Sequence, residues 1–282
     1  MQTIDYRESR LTIDGDGIAR FQHQRPATRN ALTMALRADY AEMVDQLRGD
    51  ASVRALILAG SGGSFCAGGD VKGMLARFDD PAHNTPVHTR QRLLDLNGWI
   101  QRLRELEVPV IAAVDGPAWG GGFAIALCAD FVLATPRASF CMVFLRLGVI
   151  PDMSAIHLLP RVVGLQKAKE LLMTGRRVDA AEAQSLGLVL AQHQPAALDD
   201  AALALARRFL PAARVALGMT KRMANRAYET DAGAMAELES AAQAICVADE
   251  AHLDCIRRFA AKQPMAYDWD RGAGAAAQEQ GD

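Results

Sequence analysis

The sequence predicts an α/β fold with parallel strands, on three observations. Short apolar runs recur between stretches of helical periodicity, at 17–23, 53–60, 108–116, 131–135, 138–144 and 186–193. Several of them, "VRALILAG" and "VPVIAAVDG" included, are continuously apolar, as strands covered on both faces are. From about residue 196 the strand signal stops and helical periodicity continues alone, so the last helices form a layer of their own behind an α/β core.

In chain order, "GIARFQH" (17–23) is the first expected strand. Thr33 to Arg48 then carries Leu36, Tyr40, Val44 and Leu47 at helical spacing, with Thr33 placed to cap the helix. The strand at 53–60 runs into "GSFCAGGD" (63–70). Residues 77–90, "RFDDPAHNTPVHTR" with two prolines, read as an irregular insertion edging a substrate site. It holds His83 and His88, although loop histidines are usually solvated. The strand at 108–114 leads into "DGPAWGGGFAIALCAD" (115–130), which opens a helical run. Strands at 131–135 and 138–144 precede "VFLRLGVIPDM" (143–153), and the strand at 186–193 is the last. Four helices follow at about 196–209, 213–228, 231–247 and 249–262. The expected organisation is a core over 1–195, a helical region over 196–270 and a disordered tail over 271–282.

Half of the 282 residues are hydrophobic, enough for one large core. With 31 basic against 33 acidic residues, no Lys/Arg-rich run and few aromatics, nothing suggests a nucleic-acid surface; anionic partners are expected to be small and met locally. The N-terminus mixes charges early and lacks the basic flank and apolar core of a signal peptide. The longest charge-free apolar segment, 116–129, is shorter than the roughly 20 residues of a membrane helix. Five cysteines show neither metal-site spacing nor a disulfide pattern, which predicts reduced thiols, no metal and a cytoplasmic protein.

The two glycine-rich segments each follow an apolar strand. Glycine lets a ligand approach the backbone, and a helix N-terminus offers unpaired N–H groups and a favourable dipole. Facing one another, two such segments supply two donors to one developing negative charge. Taken singly, either is also an ordinary strand-to-helix turn. Neither has the ending of a P-loop or the dinucleotide spacing.

Together with "RPATRNALT" (25–33), "LGVIPD" (147–152), "LLPRVVG" (158–164) and "ELLMTGRRVDAAEAQSLGLV" (170–189), these motifs in this order resemble the enoyl-CoA hydratase/isomerase, or crotonase, superfamily over roughly residues 5–265. The resemblance implies a crotonase-like superhelix of repeated ββα units, a C-terminal α-helical trimerisation region, and assembly as a homotrimer or a dimer of trimers. It also implies acyl-CoA thioester substrates of the kind met in fatty-acid metabolism, coenzyme A being part of the substrate, with no separate cofactor. By position, the oxyanion-hole donors are Ala67 and Gly121. Coenzyme A is expected at Thr28, Arg29, Ala67, Gly68, Gly69 and Asp70, with Arg29 standing in for the lysine that many members have at the position of Ala27. Phe65, Trp119, Phe123, Ala124, Phe144 and His157 are the candidate walls of the acyl pocket.

In the hydratases of that superfamily two glutamates activate and orient water; at their positions this chain has Ala124 and Phe144. Neither residue moves a proton, so the resemblance argues against hydration even where the family name suggests it. The carboxylate that remains is Asp152. Dienoyl-CoA isomerases and ring-1,2-epoxyphenylacetyl-CoA isomerases have a functional aspartate there, and the second group shares the phenylalanine, "LGLIPD" and "LLPR". The 4-chlorobenzoyl-CoA dehalogenases use that aspartate as a nucleophile. The expectation is an isomerase with Asp152 as its single acid-base. The alternatives are a dehalogenase or thioester hydrolase attacking through Asp152, and a non-catalytic acyl-CoA-binding subunit in which Asp152 only caps the following helix. Asp115 and Asp130 read as structural groups at a strand end and a helix end.

Overall fold

The computed structural model describes residues 1–80 and 84–270. His83 and the tail over 271–282 lie outside the described residues. The chain begins with a meander of β1 (Gln2–Asp5), β2 (Ser9–Ile13) and β3 (Ile18–His23), followed by α1 (Met34–Gly49). Thr33 caps α1 by accepting a bond from the Leu36 N–H, and the buried face of the helix is Leu36, Tyr40, Met43, Val44 and Leu47. Next come β4 (Ala55–Ala59), α2 (Val71–Phe78), α3 (Pro86–Arg104), β5 (Val110–Val114), β6 (Pro117–Trp119) and α4 (Gly121–Cys128). The chain continues through β7 (Phe131–Ala134), β8 (Ser139–Cys141), α5 (Ala155–Val163), α6 (Leu165–Thr174), β9 (Arg177–Asp179), α7 (Ala180–Ser185) and β10 (Ala191–Gln192). It ends in α8 (Leu198–Arg208), α9 (Arg214–Ala224), α10 (Ala232–Val247) and α11 (Glu250–Ala260).

Among the described residues, seven strands form one sheet in the order β1-β2-β3-β4-β5-β7-β10, parallel from β3 onward. A small second sheet, β6-β8-β9, stands beside it. Twice, at β5-β6-α4 and β7-β8-α5, the chain uses one strand in each sheet and then a helix, which is the expected ββα turn. The central strands are buried on both sides. Leu56, Leu58, Val110 and Ala112 join the larger core under α1, α3 and α4. Ile57, Ile111 and Leu133 face a second core formed with Leu198, Leu205 and Phe209 around α8. This explains their unbroken apolar sequence.

Several expectations are corrected. Only 139–141 of the run at 138–144 is strand, because Val143–Leu147 coils into a 3-10 turn closed by Gly148 in the left-handed region. Only Ala191–Gln192 of the run at 186–193 pairs with β7. The insertion at 77–90 is partly helical: Thr85 caps α3 through the His88 N–H, and Pro86 opens it at a position where its missing N–H costs nothing. β1, β2 and β9 were not legible, being short and carrying no continuous apolar run, and β6 is three residues inside a glycine-rich segment read as opening a helix.

Two buried polar groups brace the frame. His23 is fully buried, its Nδ1 2.8 Å from the Phe65 carbonyl and its Nε2 2.7 Å from the Tyr40 hydroxyl. Asp39, also fully buried, accepts from the Glu8 N–H and the Ser9 hydroxyl, both at 2.8 Å. The helical region is tied to the core by Lys221, which lies 2.7 Å from the carboxylate of Asp130 and donates to the Val108 carbonyl at 2.9 Å.

Candidate active site

The two glycine-rich segments are stitched side by side. Cys66 donates to the Pro117 carbonyl and accepts from the Trp119 N–H, both at 3.0 Å. Gly120 donates to the Cys141 carbonyl at 2.8 Å, and Leu32 donates to the Gly68 carbonyl at 2.8 Å. Two glycines make this contact possible. Gly68 has φ 98°, and a Cβ on it would come 2.9 Å from the Trp119 carbonyl oxygen. Gly120, with φ 50° and ψ −117°, occupies a backbone region open to glycine and sets the start of α4.

One expected donor is overturned by these bonds. The Ala67 N–H is spent on the Arg29 carbonyl at 3.0 Å, so it cannot serve an incoming oxygen. Two residues on, the Gly69 N–H has no acceptor among the described residues, and neither has the Gly121 N–H at the first turn of α4. Gly69, Gly120 and Gly121 line the same cavity of about 1210 Å³. The donor pair that the backbone leaves free is therefore Gly69 and Gly121, the latter as expected from position.

Asp152 lines that cavity too. The helix after it begins at Ala155, the residue at the cap is Ser154, and no helix N–H binds the Asp152 side chain among the described residues. The capping role read from the sequence is thus not the one the carboxylate performs. What holds it is an unusual backbone: Met153 (φ 53°) and Ser154 (φ 62°) are both left-handed. Such conformations cost about 1–2 kcal/mol per non-glycine residue, and they persist where the surroundings impose them. Burial raises the Asp152 carboxyl above the ordinary carboxylate range, while the Arg37 guanidinium and a bond from its own backbone N–H pull the other way.

The acyl-pocket candidates divide. Phe144 and His157 line the cavity. His157 lies 2.9 Å from the Glu229 carboxylate, and burial lowers its pKa. Phe65 does not line it; it is completely buried and packs on His23. Phe123 packs on Phe140 in the core, and Ala124 is completely buried beside it in α4. Trp119 turns the other way, donating to Ser139 with Arg177 over its ring. Four of the six are therefore corrected from pocket wall to packing: Phe65 after β4, Trp119 on β6, and Phe123 and Ala124 on α4 do not line the cavity.

Thr28 and Arg29 form an exposed turn at the edge of the glycine segments, and the Arg29 guanidinium has no ion-pair partner among the described residues. Arg29 and Asn30 are both left-handed, and buried Asn30 offsets the strain by donating to the carbonyls of Ser61 (3.0 Å) and Ser64 (2.6 Å). Asp70 sits at the start of α2 without capping it. Asp115 binds Arg137 and Thr135, which hold its carboxyl below the usual range, so it and Asp130 are structural as expected. His88 is exposed on α3 beside Thr85. Sequence reasoning missed Leu32, Met74 and three arginines, Arg37, Arg77 and Arg92, that also line the cavity. Arg37 was legible as a charge next to the buried stripe of α1. Arg77 opens the insertion whose helical form was not foreseen, and Arg92 lies two residues beyond it on α3. No group of three His, Cys, Asp or Glu side chains that could hold a metal occurs among the described residues.

The family model described as enoyl-CoA hydratase/isomerase matches residues 14–269. The chain belongs to the enoyl-CoA hydratase/isomerase family. It is 32% identical to the 1,2-epoxyphenylacetyl-CoA isomerase of Escherichia coli (strain K12), over 88% of this chain and 93% of that one. It is 36% identical to 4-chlorobenzoyl coenzyme A dehalogenase-2 of an Arthrobacter species, over 62% of each. The solved structure of an enoyl-CoA hydratase/isomerase from Cupriavidus metallidurans CH34 superposes with a TM-score of 0.87 at 38% identity, covering 94% of this chain and 97% of that chain. The crotonase-type α/β fold expected from the motifs is the fold of this chain. Within the family, hydratase, isomerase and dehalogenase names all occur among its relatives, on acyl-CoA substrates.

Proposed function

We propose that this family member isomerises the double bond of an enoyl-CoA thioester, with Asp152 as its single acid-base. The observation behind this reading is one partly buried carboxylate in a cavity whose glycine walls leave the Gly69 and Gly121 N–H groups unpaired. The thioester carbonyl oxygen accepts from both N–H groups, which stabilise the negative charge that gathers on it as an enolate forms. Asp152 takes a proton from C2 of a 3-enoyl thioester, the electron pair spreads over the dienolate, and the same carboxyl returns the proton at C4. The 2-enoyl thioester results, and the carboxylate is regenerated. Desolvation strengthens Asp152 as a base toward such a carbon acid. Hydration is disfavoured because positions 124 and 144 offer Ala and Phe, neither able to activate water.

The exposed Arg29 suits the phosphates of coenzyme A, and Gly68 and Gly69 let the thioester arm approach the backbone. α10 and α11 bury none of their own residues and expose Leu238, Ile245, Leu253, Ile256 and Phe259, which favours their use as the contact face of a trimer or a dimer of trimers. Five unpaired cysteines suit a reducing cytoplasm.

The test is to incubate 3-enoyl-CoA and 2-enoyl-CoA in deuterated water with wild type and Asp152→Asn and to follow deuterium at C2 and C4 by NMR. Double-bond migration that falls by about 10²–10⁴ in the variant is expected. Migration that survives the substitution removes Asp152 from its role.

A further inference from the structure

Three guanidinium groups, Arg37 on α1, Arg77 on α2 and Arg92 on α3, line the cavity that holds Asp152. Among the described residues none of them is in an ion pair. Among the described residues Arg92 donates only to the Thr89 hydroxyl, at 3.2 Å. The Nε of Arg37 is buried with no hydrogen-bond partner. Burial lowers the pKa of Arg37; Asp152 and Asp70 favour its charge, and Arg77 and Arg92 oppose it, so these groups share one electrostatic neighbourhood. Arg37 and Asp152 nonetheless do not close into a salt bridge.

Three like charges in one cavity repel one another and are partly stripped of water, and an unpaired buried donor is costly. A chain end of methyl groups entering there would strip the remaining water and supply no acceptor. A planar anion would satisfy the forked donors of the guanidinium groups and screen them from each other. The carboxylate of Asp152 cannot fill this need, since it is the group left for the chemistry. The cluster spans α1, α2 and α3, whereas the two free N–H groups lie on the segments after β4 and β6, so the thioester and the anion are read by different walls of the cavity.

We infer that the acyl group of the substrate ends in a second anionic group, a carboxylate, held by Arg37, Arg77 and Arg92, so that the substrate is the mono-CoA thioester of a dicarboxylic acid. This rests on the reading of the cavity as an acyl-CoA site, but not on which reaction Asp152 performs. The test is calorimetric binding of saturated, unreactive thioesters in matched pairs: glutaryl-CoA against valeryl-CoA, and adipoyl-CoA against hexanoyl-CoA. Within each pair the coenzyme is the same, so its phosphates cancel. In at least one pair the diacid thioester should bind roughly tenfold or more tightly, as a charge-assisted contact implies. Arg37→Met and the double variant Arg77→Gln/Arg92→Gln should erase that preference, Arg37→Lys should restore part of it, and Asp152→Asn should keep it. Unchanged thermal unfolding of each variant shows that the fold is intact. Equal binding within both pairs overturns the inference. So does equal weakening of both members by the arginine variants, which would assign these side chains to the coenzyme phosphates. Absence of isomerisation by the wild type with the preference intact would overturn the proposed reaction alone, and failure of every thioester to bind would overturn both.

Discussion

At Asp152 two opposing influences meet: burial raises its pKa, and Arg37 lowers it. The base form therefore accumulates only above the usual carboxylate range, and the acid limb of kcat/KM should lie above that range. Arg37→Met removes the charge that favours ionisation and should move the limb to higher pH; Arg37→Lys should leave it nearly in place. A pH profile of double-bond migration for the three proteins checks this. His23 sets a second pH effect, on stability. Unfolded, its imidazole takes a proton near pH 6.5; folded, burial holds it neutral down to about 4. The unfolded chain therefore binds more protons between those values. The stabilisation is complete above the unfolded pKa and is lost as the pH falls toward 4, a loss of roughly 3 kcal/mol. Urea unfolding at about pH 7 and about pH 4.5 should show it, and His23→Gln should flatten the dependence. Of the residues that line the cavity, Gly69, Gly121, Phe144, Asp152 and His157 were named from the sequence. Ala67 was misplaced by two positions because which N–H is free depends on the Arg29 carbonyl, which reaches it from another segment.

The glycine turn before α4 is where an element's geometry matters most to the chemistry. Gly120→Ala places a Cβ in a region with φ 50° and ψ −117°, a strain of about 1–3 kcal/mol, and reaims the Gly121 N–H. The expected outcome is a lower unfolding temperature together with a fall in kcat that exceeds the change in KM, since the donor serves the developing charge more than the bound ground state. The helices of the last third were legible to within about four residues, α9 stopping at Ala224 short of the expected 228, and α10 and α11 each begin after a capping aspartate. α5 was not: proline followed by aspartate looked like a cap, yet the chain spends Met153 and Ser154 in left-handed conformations before the helix begins. Local sequence could not reveal this, since neither residue type favours that region by itself.

Over the whole molecule, the parallel sheet is enclosed by α1, α3 and α4 on one face and α8 on the other, while α10, packed on α9 and α11, and α11 itself leave Leu238, Ile245, Leu253, Ile256 and Phe259 exposed among the described residues. A charge placed there should break assembly without unfolding the chain. Ile256→Asp is expected to convert a trimer or hexamer into monomers in sedimentation velocity, with the circular dichroism of the monomer unchanged. Sedimentation of the wild type as a monomer would refute that contact face.

The sequence alone determined the α/β class, the order of the main strands, the helical last third and the position of the one carboxylate, because apolar periodicity, glycine motifs and residue identity are properties of the chain itself. Tertiary structure decided which backbone donors remain unpaired, which aromatic residues face the cavity and that Arg37, Arg77 and Arg92 meet there. Those facts depend on contacts between segments far apart in the chain. A hydrogen bond spent in one place, or a charge brought in by a neighbouring helix, leaves no mark in the local pattern of residues.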